Sequence, residues 1–172
     1  MNCQANKGHC CRTLGYTGGS ASGGYGERVA VHPHQLHPLG NIPIEYAAVI
    51  EPLAVVHHAV KESGIADWAD KNVLVLGGGP IGLALLLDLK AHGATNVIVS
   101  EPAKIRREQV SEFAKAVINP INENVGDRCR ELTGGVGVDV VFDCAGVPVG
   151  LESAFDAIRY HGLYMMVAVW EL

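Results

Sequence analysis

At 172 residues with a formal charge of −5, the chain has room for one full domain, or for one domain and a piece of another. A hydrophobic share of 48% against 18% charged residues excludes a disordered chain. The acidic balance argues against nucleic acid or an anionic membrane surface as the main partner.

No apolar run has the length of a membrane span. The longest candidate, Val73 to Leu87, is broken by three glycines and Pro80. The opening residues, Met1 to Lys7, lack an apolar signal-peptide core, which points to a cytoplasmic protein. In that reducing compartment the five cysteines read as metal ligands or buried thiols rather than disulfides.

Taken in order, the chain opens with Cys3, Cys10 and Cys11 crowded around His9. This density fits part of a zinc loop, and equally a terminus carrying ordinary reduced thiols. Thr17 to Gly26 is a glycine and serine loop too short to link independent domains, and Glu27 to His32 reads as a strand. His32, His34 and His37 invite a metal reading. Pro33 and Pro38 break the segment, however, and deny it a helical pair of ligands, so solvated loop histidines are expected.

Ile44 to Val60 is rich in alanine and valine and reads as helix, with Pro52 marking a break or a new first turn. Glu51 stands at that break. It is either an acid favoured by the positive helix end or a buried carboxylate beside a metal. Of His57 and His58, at least one is expected to face inward.

From Asn72 onward strand and helix alternate. Strand patterns fall at Val73–Leu76, Val97–Val99, Val117–Ile118, Val138–Phe142 and Leu163–Val169. Helical patterns lie between them, at Ile81–His92, Lys104–Ala116, Asn124–Leu132 and Val149–Tyr160. Such alternation predicts an α/β fold with a doubly wound parallel sheet.

The first strand–helix join carries the sharpest signal. Gly77, Gly79 and Gly82 keep the G-x-G-x-x-G spacing, which serves a tight turn, close approach of a pyrophosphate and close helix packing. Pro80 suits a first helical turn, and the amides of Ile81 and Gly82 would point with the positive helix end at a bound phosphate. Glu101 closes the next strand, 19 positions beyond Gly82 (101 − 82), where an acid can hold the ribose hydroxyls. Its charge would repel a 2′-phosphate and favour NAD over NADP, a preference that Arg106 and Arg107 would weaken. Cys144, after the fourth strand, reads as a packing thiol.

Together these residues resemble the zinc-containing medium-chain alcohol dehydrogenase family, most closely its 2,3-butanediol and sorbitol dehydrogenase branch. The stretches that carry the resemblance are Glu51 to Val60, Val75 to Leu83, Val99 to Pro102, Val140 to Val147 and Val167 to Glu171. The resemblance implies a Rossmann sheet preceded by a remnant of a mainly-β, GroES-like catalytic domain. It puts residues 1–60 in the zinc-binding part and residues 61–172 in the NAD-binding part.

Cys3 and Cys11 have the final spacing of the family's C-x2-C-x2-C-x7-C lobe, so the resemblance makes them structural-zinc ligands. It likewise makes Glu51 a carboxylate at or next to the catalytic zinc. Ile81, Glu101 and Arg106 would contact the pyrophosphate and adenosine ribose, and Val167, Ala168 and Val169 would line the nicotinamide. The reaction implied is oxidation of a secondary alcohol or polyol, with zinc lowering the pKa of the alcohol and NAD taking the hydride. The expected partners are that small-molecule substrate and, as an open option, further copies of the chain in a homo-oligomer.

Two family features, the catalytic-zinc cysteine and the Gly-His-Glu motif, do not occur upstream of the cysteine lobe, and the chain ends after its fifth strand pattern. The expectation is therefore the middle of a dehydrogenase, with a catalytically inactive nucleotide-binding module as the alternative. A short-chain dehydrogenase is disfavoured, because no tyrosine has a lysine four residues later. Assayed alone with NAD, zinc and butanediol or sorbitol, these 172 residues are expected to give no measurable turnover. NADH formation at ordinary enzymatic rates would refute this.

Overall fold

The computed structural model describes residue 4 and residues 7–170. The chain divides into two compact units, Met1–Ile44 and Glu45–Leu172.

The first unit has 3-10 turns at Gly8–Cys10 and Pro33–Gln35, and none of its described residues is buried. Glu27 to His32, expected as a strand, is irregular. A strand needs a neighbouring edge to satisfy its amides and carbonyls, and the described residues of this unit give it no ladder. His32, His34 and His37 are exposed, as loop histidines should be. His32 and His34 lie side by side in the turn, with ring centroids 4.3 Å apart.

A 3-10 segment, Ile44–Val49, runs into α1 (Ile50–Glu62) at the start of the second unit. Pro52 falls in the first turn of α1, where its missing N–H has no intrahelical partner to lose. Four strand–helix repeats and a fifth strand follow: β1 (Asn72–Leu76), α2 (Pro80–Ala91), β2 (Asn96–Ser100), α3 (Lys104–Ser111), β3 (Ala116–Ile118), α4 (Val125–Leu132), β4 (Val138–Asp143), α5 (Pro148–Ala157) and β5 (Ile158–Met166). The strands form one parallel sheet in the order β3-β2-β1-β4-β5. This is the doubly wound arrangement, whose order reverses between β1 and β4. No described helix is long and apolar enough to cross a membrane.

The strands explain the two-sided core. Alternate residues of a strand point to opposite faces, so both faces are covered only if nearly every position is apolar. Val73, Val75, Val97, Val99, Val140 and Phe142 pack against Val56 and Val60 of α1, Leu85, Leu86 and Leu89 of α2, and Trp68. Leu74, Leu76, Ile98, Ile118 and Val141 take the other face, under α4 and α5. Trp68 is buried, with its ring 6.1 Å from that of Phe142.

Several helical boundaries differ from the sequence reading. The third helix ends at Ser111 rather than Ala116, because Phe113 and Ala114 turn back to the Val110 carbonyl and Lys115 N already donates to Val97 O on β2. The last helix stops at Ala157 instead of Tyr160, since Ile158 enters the sheet opposite Val138. There the ladder slips: two steps along β4, Val138 to Val140, face five along β5, Ile158 to Leu163. His161 occupies the left-handed region in the slip, at φ 59°. The start of α1 also differs, and α1 packs with the sheet inside the unit Glu45–Leu172. Both His57 and His58 are exposed, contrary to expectation, because Val56 and Val60 take the inward face of α1.

Asp139 ties the entry of β4 to its neighbours. Its carboxylate accepts the Asn72 amide at 2.8 Å and the Arg159 Nε at 2.7 Å. Burial raises its pKa, but the amide and the guanidinium outweigh burial and hold it below the ordinary value. A carboxylate whose folded pKa lies below its unfolded one stabilises the fold above the unfolded pKa. That contribution is lost as pH falls through the folded value. Asp139→Asn is therefore expected to destabilise at neutral pH, with the difference from the parent shrinking below about pH 3.9, the ordinary aspartate value. Denaturant unfolding at the two pH values checks this; a difference that does not depend on pH would refute it.

Candidate nucleotide site

A cavity of about 530 Å³ opens at the carboxyl ends of the strands, where the strand order reverses. Its floor is the turn between β1 and α2. Gly77 sits at φ +94°, a conformation that favours glycine, and a Cβ there would meet the Cys144–Ala145 backbone at 3.4 Å. A Cβ on Gly82 would stand 1.9 Å from Gly77 O, so the first turn of α2 lies directly against the end of β1. Gly79 is different. A Cβ on it would find only Arg106 Nη1, at 3.8 Å, so the space above its backbone is open and bordered by a guanidinium. Pro80 begins α2, and Gly77, Gly79, Pro80, Ile81 and Gly82 all line the cavity.

Glu101 and Arg106 line it too. Glu101 is only 2% exposed. One carboxylate oxygen accepts the Gly78 amide at 2.7 Å and the other the Ala103 amide at 2.7 Å, so this acid fastens the glycine turn to the end of β2. Arg107 turns away from the cavity, donating to the carbonyls of Glu101 and Pro102 at 3.1 and 2.5 Å. Of the two arginines, only Arg106 faces the site.

Val167, Ala168 and Val169 do not line this cavity. They continue past the end of β5, where Val167 N and Ala168 N donate to Asp143 O at 3.0 and 2.8 Å. Asp143 is a residue the sequence reading missed. Fully buried, it accepts the Ala145 and Gly146 amides on one oxygen, at 2.9 Å each, and the Tyr164 hydroxyl on the other, at 2.7 Å. Burial and the adjacent Asp143 carboxylate push the Tyr164 phenol above its ordinary pKa. The one sequence signal for Asp143 was its place at the end of an apolar strand. Also missed were Ile121, Val147 and Val149, which follow β3 and β4 and give the cavity apolar walls. Burial raises the Cys144 thiol to about 12, so it stays protonated at neutral pH and is no nucleophile.

The expected metal ligands are less gathered. Cys3 lies outside the described residues. Cys11 is half-buried, with Sγ 3.4 Å from Thr13 Oγ1. Glu51 occupies the first turn of α1 and is exposed, as are Leu53 and Val55. Of the two readings of Glu51, the acid at the positive helix end describes its place in this structure, because the inward face of α1 begins at Val56. Among the described residues, no cluster of three or more metal-ligand side chains includes Cys11 or Glu51.

The family profile described as zinc-binding dehydrogenase matches residues 80–171. The chain belongs to the zinc-containing medium-chain alcohol dehydrogenase family. Its similarity runs to the butanediol dehydrogenase branch. The (R,R)-butanediol dehydrogenase of Saccharomyces cerevisiae is 38% identical over 175 residues, covering 98% of this chain and 45% of that protein. The solved 2R,3R-butanediol dehydrogenase of Bacillus subtilis is 34% identical, with a TM-score of 0.68, over 76% of this chain and 37% of the other. A Sinorhizobium meliloti protein assigned as a zinc-binding dehydrogenase and solved with NADP is 33% identical. It has a TM-score of 0.87 over 98% of this chain and 50% of its own. The chain spans about half the length of the curated relatives it matches.

Gly82 provides the test of this geometry. Because a methyl group there would overlap the Gly77 carbonyl, Gly82→Ala must push α2 off the strand end. A loss of about 1–3 kcal/mol in denaturant unfolding is expected, the usual range for overpacking. An unchanged midpoint would mean that the turn relaxes freely.

Proposed function

We propose that this chain provides the dinucleotide site of an NAD-dependent, zinc-assisted oxidoreductase that interconverts a secondary alcohol or polyol, of the butanediol or sorbitol kind, and its ketone. The observation that carries this reading is the open cradle above Gly79. It lies at the start of α2, between the Arg106 guanidinium and the Glu101 carboxylate, in a cavity at the sheet's switch point. Phosphate oxygens suit that cradle, because first-turn amides and the positive helix end both favour an anion.

The roles of the chain's residues follow from this arrangement. Gly79, Pro80, Ile81 and Gly82 would receive the pyrophosphate, with Arg106 neutralising part of its charge. Glu101, already oriented by two amides, keeps lone pairs that can accept the ribose hydroxyls. Ile121, Val147 and Val149 offer apolar walls for flat rings. Val167, Ala168 and Val169, held at the end of β5 by Asp143, would border the nicotinamide. When bound, the nicotinamide cofactor supplies the hydride chemistry.

Zinc stands apart from this fit. The family uses it, and Cys3, Cys11 and Glu51 would be this chain's contributions, with residues 1–60 belonging to the zinc-binding part. Among the described residues, neither Cys11 nor Glu51 belongs to a cluster of three metal-ligand side chains, so no step through zinc rests on them.

Cofactor choice tests the reading. Glu101 should repel a 2′-phosphate, whereas Arg106 would attract one. NAD(H) is expected to bind more tightly than NADP(H) in calorimetric titrations of the chain, and Arg106→Ala to weaken NADP(H) more than NAD(H). Binding of neither cofactor would refute the dinucleotide site. Equal or tighter NADP(H) binding would refute the preference and show that Arg106 overrides the carboxylate.

A further inference from the structure

At the opposite end of α2 from Pro80, three side chains meet that play no part in the nucleotide cavity. His57 comes from α1; Asp88 and His92 stand one helical turn apart at the end of α2. His57 Nδ1 lies 3.3 Å from Asp88 Oδ1, and His92 Nδ1 lies 3.6 Å from Asp88 Oδ2. The two imidazole centroids are 5.5 Å apart, and one ligand atom from each of the three residues falls within 4.8 Å of the others. Val56 and Val60 of α1 pack in the same core cluster as Leu85 and Leu89 of α2, so the helices that carry these residues are held by buried contacts.

We propose that His57, Asp88 and His92 form a binding site for a divalent cation of the zinc class, with water completing the shell. Two imidazoles and a carboxylate suit a borderline-soft cation of this kind rather than calcium or magnesium, which favour all-oxygen sites. The spacing fits as well. Bonds of ~2.0–2.2 Å around a tetrahedral ion put its ligand atoms roughly 3.3–3.6 Å from one another, so three ligand atoms already within 4.8 Å of one another need only a small side-chain adjustment to close on an ion.

Two further observations point the same way. Asp88 Oδ2 is buried and has no hydrogen-bond partner, its separation from His92 being too long for one. A buried carboxylate oxygen left in that state is costly, and a cation would satisfy it. His92 Nδ1 also stands 2.8 Å from the Asp88 carbonyl oxygen. An N–H donated there leaves Nε2 with its lone pair free to bind a metal, the usual way in which a ligand histidine is oriented from behind. His57 and His92 both open onto a cleft of about 320 Å³, which gives water and a metal ion a way in.

The competing reading is a histidine–carboxylate cluster that binds only protons. Zinc titration separates the two, provided that the thiols near the N-terminus are removed. In the full chain carrying Cys3→Ser, Cys10→Ser and Cys11→Ser, calorimetry is expected to show one saturable equivalent of zinc, with a zinc-dependent rise in Tm, since a ligand that binds only the native state stabilises it. His57→Gln and His92→Gln, each added to that background, are expected to weaken binding by at least about tenfold and to abolish the rise in Tm. His57 is exposed, so its replacement leaves the core intact; the metal-free Tm of each variant verifies folding. Absence of saturable zinc binding in the background chain would overturn the proposal. So would unchanged zinc affinity in either histidine variant. NAD(H) binding is a separate readout, so failure here leaves the nucleotide site untouched.

Discussion

The contact on which this structure turns is the one between Gly82 and the carbonyl of Gly77. With no side chain at either position, the first turn of α2 comes down onto the end of β1, and the positive end of the helix meets the mouth of the sheet. Adding one methyl group at Gly82 would bring a carbon within 1.9 Å of the carbonyl oxygen. Everything at the mouth follows from that approach: the placement of Gly79, the direction of the first-turn amides, and the narrow gap that Glu101 closes.

Glu101 and Asp143 do parallel work on the two sides of this turn. Each is an acid at the carboxyl end of a strand, each is buried, and each accepts backbone amides of a loop that follows a strand, Glu101 on both oxygens and Asp143 on one. Hydrogen bonds from amides to a carboxylate are stronger than those between neutral groups, so they fix irregular backbone that no ladder can hold. Glu101 thereby shapes the side of the cavity next to β2. Asp143 shapes the β4 side and anchors the exit of β5, where Val167 and Ala168 are held. Burial of two acids is tolerated because their partners are fixed in place before any ligand arrives.

The sheet beneath is rigid for a different reason. Its three central strands, β2, β1 and β4, are covered on both faces, and the two clusters of side chains use alternate residues of the same strands. A slip of one residue would exchange the clusters and face each helix with the wrong shapes. The one irregularity, the slip between β4 and β5, lies at the edge of the sheet and at the end away from the cavity. The site thus rests on the part of the sheet that is most firmly specified.

How much of this was legible in the sequence depends on the range of each interaction. The alternation of strands and helices, the glycine turn, the acid at the end of β2 and the inert thiol of Cys144 were all readable, because each is written in a contiguous run of residues. A positive φ at Gly77 and a proline in the first helical turn are local demands with local signatures. Where the third and fifth helices stop was decided by the sheet, which captures Lys115 and Ile158 before the helical pattern runs out. The segment Glu27–His32 has the composition of a strand but no edge to pair with among the described residues. Asp143 could be noticed as the end of a strand, yet its bond to Tyr164 spans 21 positions. His57 and Asp88, 31 positions apart, meet only because Val56 and Val60 bring α1 down on α2. Local sequence determined which backbone shapes were possible. Only the packing of distant segments decided which side chains would meet, since burial and charge depend on neighbours that the chain brings in from afar.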